Sequence, residues 1–358
     1  MGFIKGIINA VADPRLFFVL AVAALGVMVW KRERIASNAV GYGIMGFLLI
    51  FFLFGTFDPN FRLIVTKPDN VPIVGLIFLL VFFVWYALRE GVLNDRRIAA
   101  GAGPMEKDEA DRVWVWPDLV YTELISLIVC SVVLIVWSIF LKAPLEQPAN
   151  PANTPNPSKA PWYFLGLQEM LVYFDPWLAG VVLPSLIIVG LICIPYVDRN
   201  PKGNGYYTFA ERKAEITIFL FGFAVLWCSL IVLGTFLRGP NWNFFGPFEY
   251  WDIHKLAALT NVNLSEYIWV RAFRTSLPTF WLVRESFGIL LVLFYVFVLP
   301  VLLAKTWFKT YSAKLGTARY YVTVVLFLSM MSLPIKMLAR WLFNLKYIVA
   351  IPEFFFNI

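Results

Sequence analysis

Aromatic and acidic side chains lie close together in the middle of this sequence. Trp162, Tyr163 and Phe164 are consecutive, and Glu169 follows seven positions after Trp162. That spacing puts residues 162 and 169 on one face of a helix, two turns apart. Aromatic edges can shape an apolar pocket for a planar ring, and a carboxylate beside the ring can accept its proton. We therefore take Glu169 first, and Glu146 second, as candidate proton acceptors.

A plainer interpretation of the same residues stays open. Trp162 and Tyr163 could be aromatics of a membrane–water interface, and Glu169 could be a solvated residue on the polar face of the helix. The sequence excludes several metal chemistries more firmly. His254 is the single histidine, so this chain cannot supply the pair of imidazoles that a membrane haem b requires.

The three cysteines show no metal-binding spacing. Cys130, Cys193 and Cys228 form no CxxC or CxxCH motif, which excludes c-type haem, an iron–sulfur cluster and a four-thiolate zinc site. Each lies in an apolar run and is predicted to be a packing residue. We predict no metal site in this chain, and we expect His254 to lie in a surface loop.

The elements that must position these residues are membrane helices. Of 358 residues, 60% are hydrophobic and 15% charged, and the mean hydropathy is +0.73. A spanning helix needs about 20 apolar residues, and strands of a barrel would show an alternation that is missing here. The predicted class is an all-α, polytopic transmembrane protein with about eight spans. The predicted spans are residues 15–31, 39–56, 71–88, 118–141, 177–197, 214–237, 284–304 and 319–340.

Basic residues predict the orientation of these spans. Sixteen of the 30 Lys and Arg residues fall in the loops after spans one, three, five and seven. Those loops should face the cytoplasm, which places both termini and the loops 142–176 and 238–283 on the outer, periplasmic side of a bacterial inner membrane. The net charge of +7 is explained in this way without nucleic acid as a partner.

The first long outer loop has an unusual composition. Six prolines occur within residues 144–161, so that stretch should be extended and stiff. Residues 162–174 resume a helix-compatible apolar pattern that is too short to span and ends at Asp175-Pro176. This pattern predicts an interfacial helix beneath the loop.

The order of several motifs resembles one known family. Trp116-Pro117-Asp118 opens a span, Glu146-Gln147-Pro148 follows in the outer loop, Ala160-Pro161-Trp162-Tyr163-Phe164 comes next, and the following span ends Pro195-Tyr196-Val197-Asp198. This order is similar to the C-terminal half of cytochrome b, which is a separate subunit (subunit IV) in cytochrome b6f complexes. The family's Pro-Glu-Trp-Tyr signature is altered here, because Ala160 and Pro161 occupy the Pro and Glu positions.

The resemblance implies a division into three regions. Residues 1–113 would be a three-span N-terminal extension, and residues 114–240 the subunit IV-like region with its quinol-site loop at 142–176. Residues 241–358 would be an aromatic outer loop and a two-span C-terminal extension. No comparably specific motif marks either extension.

The resemblance also implies a function. Pro161, Trp162, Tyr163 and Phe164 would line a quinol site on the outer side, and Asp118 would lie by a quinone site on the inner side. Implied partners are a haem b-binding cytochrome b N-terminal subunit, a Rieske iron–sulfur protein, a c-type cytochrome and membrane lipid, in a complex that is itself a dimer. The departure at Ala160-Pro161 suggests menaquinol as the quinol.

Two other functions stay open at this stage. A multi-span transporter or ion-translocating subunit is disfavoured because no internal repeat and no clear mid-membrane carboxylate is seen. A structural scaffold with a vestigial quinone pocket is motivated by the missing Glu at Pro161. Charged residues near span ends are expected to extend to the interface: Glu123, Glu215, Arg284, Glu285, Lys336 and Arg340.

Overall fold

The structure is a computed structural model that describes residues 2–108, 112–143, 145, 148–202 and 205–358. Helices dominate these residues, and their one regular sheet pairs two strands of two residues each. The prediction of an all-α, polytopic membrane protein is confirmed.

The helices are numbered in chain order. They are α1 (Gly2–Val11), α2 (Pro14–Trp30), α3 (Arg32–Ile35), α4 (Asn38–Gly55), α5 (Pro59–Val65), α6 (Val71–Ala99), α7 (Met105–Asp108), α8 (Val115–Phe140), α9 (Trp162–Met170), α10 (Leu178–Val197), α11 (Lys213–Leu237), α12 (Glu266–Ala272), α13 (Trp281–Arg284), α14 (Ser286–Lys305), α15 (Lys309–Leu315) and α16 (Thr317–Phe343). Single 3₁₀ turns occur at Pro240–Trp242 and Pro352–Phe354, and the strands are β1 (Ala350–Ile351) and β2 (Phe356–Asn357).

The predicted spans correspond to helices. Among the described residues, seven helices are long and apolar enough to cross a membrane, namely α4, α6, α8, α10, α11, α14 and α16. The predicted first span is α2, and α1 and α2 form a bent pair with an angle of 77° between them. Counting that pair as one span gives the eight that were predicted.

Local sequence signals set several helix ends. Asp13 precedes α2 and accepts a hydrogen bond from the Arg15 N–H, with Pro14 at the first helical position. Asp58 caps α5 in the same way through the Phe61 N–H. At the other extreme of the chain, α16 stops at Asn344, whose left-handed backbone (φ 53°) ends the helix.

Contacts divide the chain into two compact units, each described by itself. The first unit comprises Met1–Trp162, Asn204–Phe221 and Thr235–Lys255. The second unit comprises Tyr163–Gly203, Gly222–Gly234 and Leu256–Ile358.

Loops of the first unit meet in two separate groups. Around α1, Lys5 pairs with Asp58, and Asn9 accepts a hydrogen bond from the Phe248 N–H at 3.0 Å. A different set of loops meets near the other end of α6, where Glu106 accepts the Tyr207 N–H at 3.1 Å. The loops after spans two and six therefore meet near α1, and the loops after spans three and five meet in a separate group. This separation is the alternation expected for a chain that crosses a membrane repeatedly.

The second unit shows the same alternation. Helices α10 and α16 pack side by side and run antiparallel. At one end Arg319 donates to the Tyr196 carbonyl at 2.7 Å, and at the other the Tyr347 hydroxyl donates to Asp175 at 3.1 Å.

Three charged residues near span ends are buried, so the expectation that they extend to the interface is wrong. Glu285, Lys336 and Arg340 are 1%, 2% and 9% exposed. The Glu285 carboxylate accepts the Ala350 N–H, and the Lys336 ammonium donates to the Lys346 carbonyl at 2.6 Å. These charges are therefore compensated by the segment that follows α16, which periodicity alone does not locate.

The packing role predicted for the cysteines holds for two of them. Cys193 and Cys228 are partly buried, whereas Cys130 is exposed. Cys130 lies on α8, and no residue in the apolar window of α8 is buried by this chain. The surface of α8 is thus free for lipid or for another protein.

Candidate functional site

Helix α9 carries the aromatic and acidic residues that the sequence singled out. Its buried face consists of Leu165, Gly166, Glu169 and Met170. The opposite face is open: Tyr163 and Phe164 are each 51% exposed, with ring centroids 4.7 Å apart. The helix therefore presents aromatic rings outward and holds its carboxyl group inward.

Two glycines let α9 approach α11 closely. A Cβ at Gly166 would lie 3.3 Å from Ile231 and 3.4 Å from Trp227. On the facing helix, a Cβ at Gly234 would lie 3.3 Å from the Leu165 carbonyl oxygen. Because these separations are tighter than ordinary van der Waals contact, side chains at either position would push α9 away from α11. The short helix is a packed element of the second unit.

Glu169 is fully buried, with 0% of its surface exposed. The interpretation of Glu169 as a solvated residue on a polar face is therefore wrong. Burying a carboxyl group costs free energy unless hydrogen bonds or charges compensate it, so such a group is more often functional than a surface carboxylate is. Trp162, two turns earlier on the same face, is 36% exposed.

The other predicted site residues lie elsewhere. Pro161 is exposed directly before α9, and Glu146 lies outside the described residues. Asp118 is exposed near the start of α8, where Trp116 stacks on Tyr121 with 5.9 Å between centroids. Asp118 and Trp162 belong to the first unit, whereas Tyr163, Phe164 and Glu169 belong to the second.

The proline-rich loop is attached to the aromatic loop that follows α11. The Asn241 N–H donates to the Asn156 side chain at 2.6 Å, and the Asn156 amide returns a hydrogen bond at 2.9 Å. The Lys159 ammonium donates to the Thr235 carbonyl at 2.9 Å and lies 4.9 Å from the centroid of the Trp251 ring. Asn156 and Lys159 were not among the predicted site residues, because polar residues in a loop carry no periodic signal.

The turn after α9 contains a further set of residues that the sequence analysis missed. The Lys346 ammonium donates to the carbonyls of Leu171 and Val172, each at 3.1 Å. Asp175 accepts hydrogen bonds from the Tyr347 hydroxyl and from the Asn357 amide, at 3.1 and 3.2 Å. These partners lie more than 170 residues apart in sequence.

Comparison with known proteins finds a family model that matches the region containing α9. Residues 148–246 match the family model described as cytochrome b (C-terminal)/b6/petD. This region is similar to the C-terminal domain of cytochrome b. It contains the end of the proline-rich loop, α9, α10, α11 and the first part of the aromatic loop, so the resemblance drawn from the motifs is confirmed.

The cytochrome b of Allochromatium vinosum is a similar curated protein, 28% identical over 171 residues. The alignment covers 43% of this chain and 41% of that cytochrome b, so the chain spans less than half of its relative's length. No solved structure matches.

The residues of this chain do not fit the haem that the family implies. The single imidazole, that of His254, lies exposed in a loop, where the His254 main-chain N–H donates to the Asp252 side chain at 2.9 Å. Within the described ranges, no group of three or more His, Cys, Asp or Glu side chains could hold a metal ion. We therefore derive no reaction step through a haem bound by this chain.

Proposed function

We propose that this chain is the quinol-site subunit of a bacterial cytochrome bc-type quinol oxidoreductase. The observation that carries the proposal is the fully buried Glu169 on an aromatic helix inside the cytochrome b C-terminal domain. In this proposal a quinol, of the menaquinol type, is oxidised at the periplasmic side and its protons are released there. The chain is active only as part of the complex.

In this proposal the aromatic residues of α9 bind the quinol ring, and the acidic residue of α9 accepts its proton. The exposed rings of Tyr163 and Phe164, with Trp162 and Pro161 before them, contact the quinol ring and exclude water from one side of it. The Glu169 carboxylate lies on the buried face of α9, which it shares with Trp162, and in the proposal it accepts a proton that leaves a quinol hydroxyl on the Trp162 side of the helix and passes it to the outer aqueous phase. Glu146, in the proline-rich loop, is the second candidate acceptor.

Partner proteins would supply the electron acceptors. Quinol oxidation releases two electrons and two protons, and in this proposal the electrons pass to a Rieske iron–sulfur protein and to haem b on a cytochrome b N-terminal subunit. Support comes from the lone histidine, because a b haem held between membrane helices needs a pair of imidazoles. A c-type cytochrome would then accept electrons from the Rieske protein, and the whole complex would be a dimer.

The exposed surface of α8 suits the haem-binding partner. The helix carries a long apolar window, and no residue in that window is buried within this chain. Asp118, near its start, is exposed and would face an inner quinone site, where it would deliver protons to a quinone being reduced.

A substitution at Glu169 tests the proposed reaction. In the intact, purified complex, Glu169→Gln should lower quinol oxidation about 100-fold, because positioned general bases contribute about 10²–10⁴-fold. The remaining rate should lose the pH dependence of the parent. Glu215→Gln is the matched control, since Glu215 is 59% exposed, and it should leave the rate unchanged. Equal rates for parent and Glu169→Gln at every pH would refute the role of Glu169.

Co-purification separates the proposal from its alternatives. A gently solubilised complex should contain a b-type haem spectrum, a Rieske protein and quinol oxidation that quinone-site inhibitors block. A haem-free preparation that a transported solute stabilises would favour a transporter. A haem-containing preparation whose activity is unaffected by Trp162→Ala and Tyr163→Ala would favour a scaffold with a vestigial pocket.

A further inference from the structure

The chain after α16 folds back onto the second unit instead of extending away. Residues 344–358, here called the C-terminal strap, contain the antiparallel pair of β1 and β2 and the 3₁₀ turn between them. The strap lies outside the cytochrome b C-terminal domain, which ends at residue 246. It therefore belongs to the part of the chain that follows the matched region.

Lys346 of the strap completes the hydrogen bonding at the C-terminal end of α9. The last carbonyls of a helix have no partners within the helix. Here the Gln168, Glu169 and Met170 carbonyls accept main-chain N–H groups of the following turn. The next two carbonyls, of Leu171 and Val172, accept the Lys346 ammonium. A cation at this position also interacts favourably with the negative end of the helix dipole.

Two further contacts fix the segment between α9 and α10. The Asp175 carboxylate accepts hydrogen bonds from Tyr347 and Asn357, one near each end of the strap. The Trp177 indole N–H donates to the Asn357 carbonyl at 3.0 Å, and its ring stacks on Phe356 at 5.1 Å between centroids. The strap thus holds both the end of α9 and the entry to α10.

The strap is itself attached to the start of α14. The buried Glu285 carboxylate accepts the Ala350 N–H at 3.1 Å, and Arg284 pairs with Glu353 at 2.8 Å. From α16, the Lys336 ammonium donates to the Lys346 carbonyl and so fixes the main chain of the residue that caps α9. The C-terminal strap therefore connects α14 and α16 to the end of α9.

We propose that Lys346 and Tyr347 are positioning residues for the quinol site, acting through α9. The inference rests on the proposed function. It assigns the C-terminal extension a role: holding α9 so that its buried face with Glu169 and its open face with Tyr163 and Phe164 keep a fixed orientation in the site. Because Lys346 bonds to the carbonyls two and three residues beyond Glu169, loss of its ammonium releases the turn that follows α9 and with it the restraint on the end of the helix.

Hydrogen exchange and kinetics test this in the intact complex. In Lys346→Met, amide exchange over residues 163–174 should rise about tenfold, and the KM for quinol should rise several-fold while kcat changes less than twofold. Lys346→Arg should restore both, because a guanidinium also donates to two carbonyls. Tyr347→Phe should produce a smaller change of the same kind. Lys67→Met, an exposed lysine of the first unit, is the matched control and should change neither quantity.

Hydrogen exchange and quinol oxidation kinetics test two different claims, so each claim can be refuted without the other. If the parent complex oxidises no quinol, the proposed function is wrong, and hydrogen exchange alone then decides whether the strap holds α9. Parent-like exchange over residues 163–174 in Lys346→Met would refute the claim that the C-terminal strap holds α9. Faster exchange with an unchanged KM would show that the strap stabilises the helix without positioning the site, which also overturns the inference. The b-type haem spectrum of each variant reports whether the complex has assembled.

Discussion

At the scale of single residues, glycines mark where segments of the chain come closest. A Cβ at Gly288 would lie 2.1 Å from the Ile348 carbonyl oxygen, a distance that no side chain can accept. Gly288 thus allows α14 to contact the C-terminal strap through its main chain. Gly26, within α2, has no atom within 4 Å of the corresponding position.

Alanine at these two glycines should have opposite effects. Gly288→Ala forces the strap away from α14, and overpacking of this kind costs about 1–3 kcal/mol. We expect a lower Tm of the purified protein and faster amide exchange in residues 345–351. Gly26→Ala meets no neighbour and favours the helix, so its Tm should equal or exceed that of the parent. A Gly288→Ala protein with an unchanged Tm would contradict the close approach.

The chemistry of the site could be read from residue types, but its burial could not. The spacing of Trp162 and Glu169 predicts that both lie on one helical face, because this is a local property of the helix. The burial of Glu169 depends on Gly166 and on α11, and the capping by Lys346 joins residues 175 positions apart. Neither contact leaves a periodic signal in the sequence.

At the scale of elements, the C-terminal end of α6 contacts two of the loops that carry the basic residues. Asn94, which is fully buried, donates to the Glu106 carboxylate at 2.7 Å and to the Tyr207 carbonyl at 2.9 Å. Asp95 accepts hydrogen bonds from the Thr208 hydroxyl and the Ala210 N–H, at 2.6 and 2.9 Å. Helix α6, which precedes the matched region, therefore holds the loop between α10 and α11, inside the region that matches the cytochrome b C-terminal family model.

This attachment should weaken in acid. Burial raises the pKa of Glu106, but hydrogen bonds from its own N–H, from Tyr207 and from Asn94 outweigh burial and leave the pKa below 4.5. A carboxyl group with a lowered pKa stabilises the fold above the unfolded-state value, and this stability is lost as the pH falls through the lower, folded-state value. Exchange of the amides in 205–210 should therefore accelerate below about pH 4.5.

Variants isolate the contribution of the Glu106 charge. Glu106→Gln should accelerate exchange in 205–210 at neutral pH about fivefold, equivalent to about 1 kcal/mol for a partly solvated charged hydrogen bond. It should also abolish the acid-dependent step. Asp108→Asn, an exposed carboxyl on the same short helix, should leave both features unchanged. An acid step that survives in Glu106→Gln would assign it to another carboxyl group.

The sequence predicts elements well where hydrophobicity decides them. The spans were found because about 20 apolar residues in a row have no other stable form in a bilayer. Helix α1 was not predicted as an element of its own. Its apolar face is exposed, and its polar face, with Lys5 and Asn9, contacts loops of the first unit. Contacts of that kind are made by tertiary structure and not by local periodicity.

At the scale of the whole molecule, the loop contacts and the distribution of basic residues agree. The loops that carry Glu33, Glu106 and Tyr207 contact α6 near its C-terminal end, and these loops belong to the basic set. The loops that carry Asp58 and Phe248 meet α1 in a separate group. An alternating path and an asymmetry of charge together predict which group faces the cytoplasm.

Thiol labelling of single introduced cysteines measures that orientation. Asp69→Cys replaces an exposed residue in the loop before α6, which is predicted to face the periplasm. Lys107→Cys replaces an exposed residue in the basic loop after α6, which is predicted to face the cytoplasm. In spheroplasts, a membrane-impermeant maleimide should label position 69 at once and position 107 only after lysis. Cys130, Cys193 and Cys228 lie within α8, α10 and α11, so a parent protein without introduced cysteines provides the background. Labelling of position 107 but not 69 before lysis would invert the topology and place α9, with the proposed quinol site, on the cytoplasmic side.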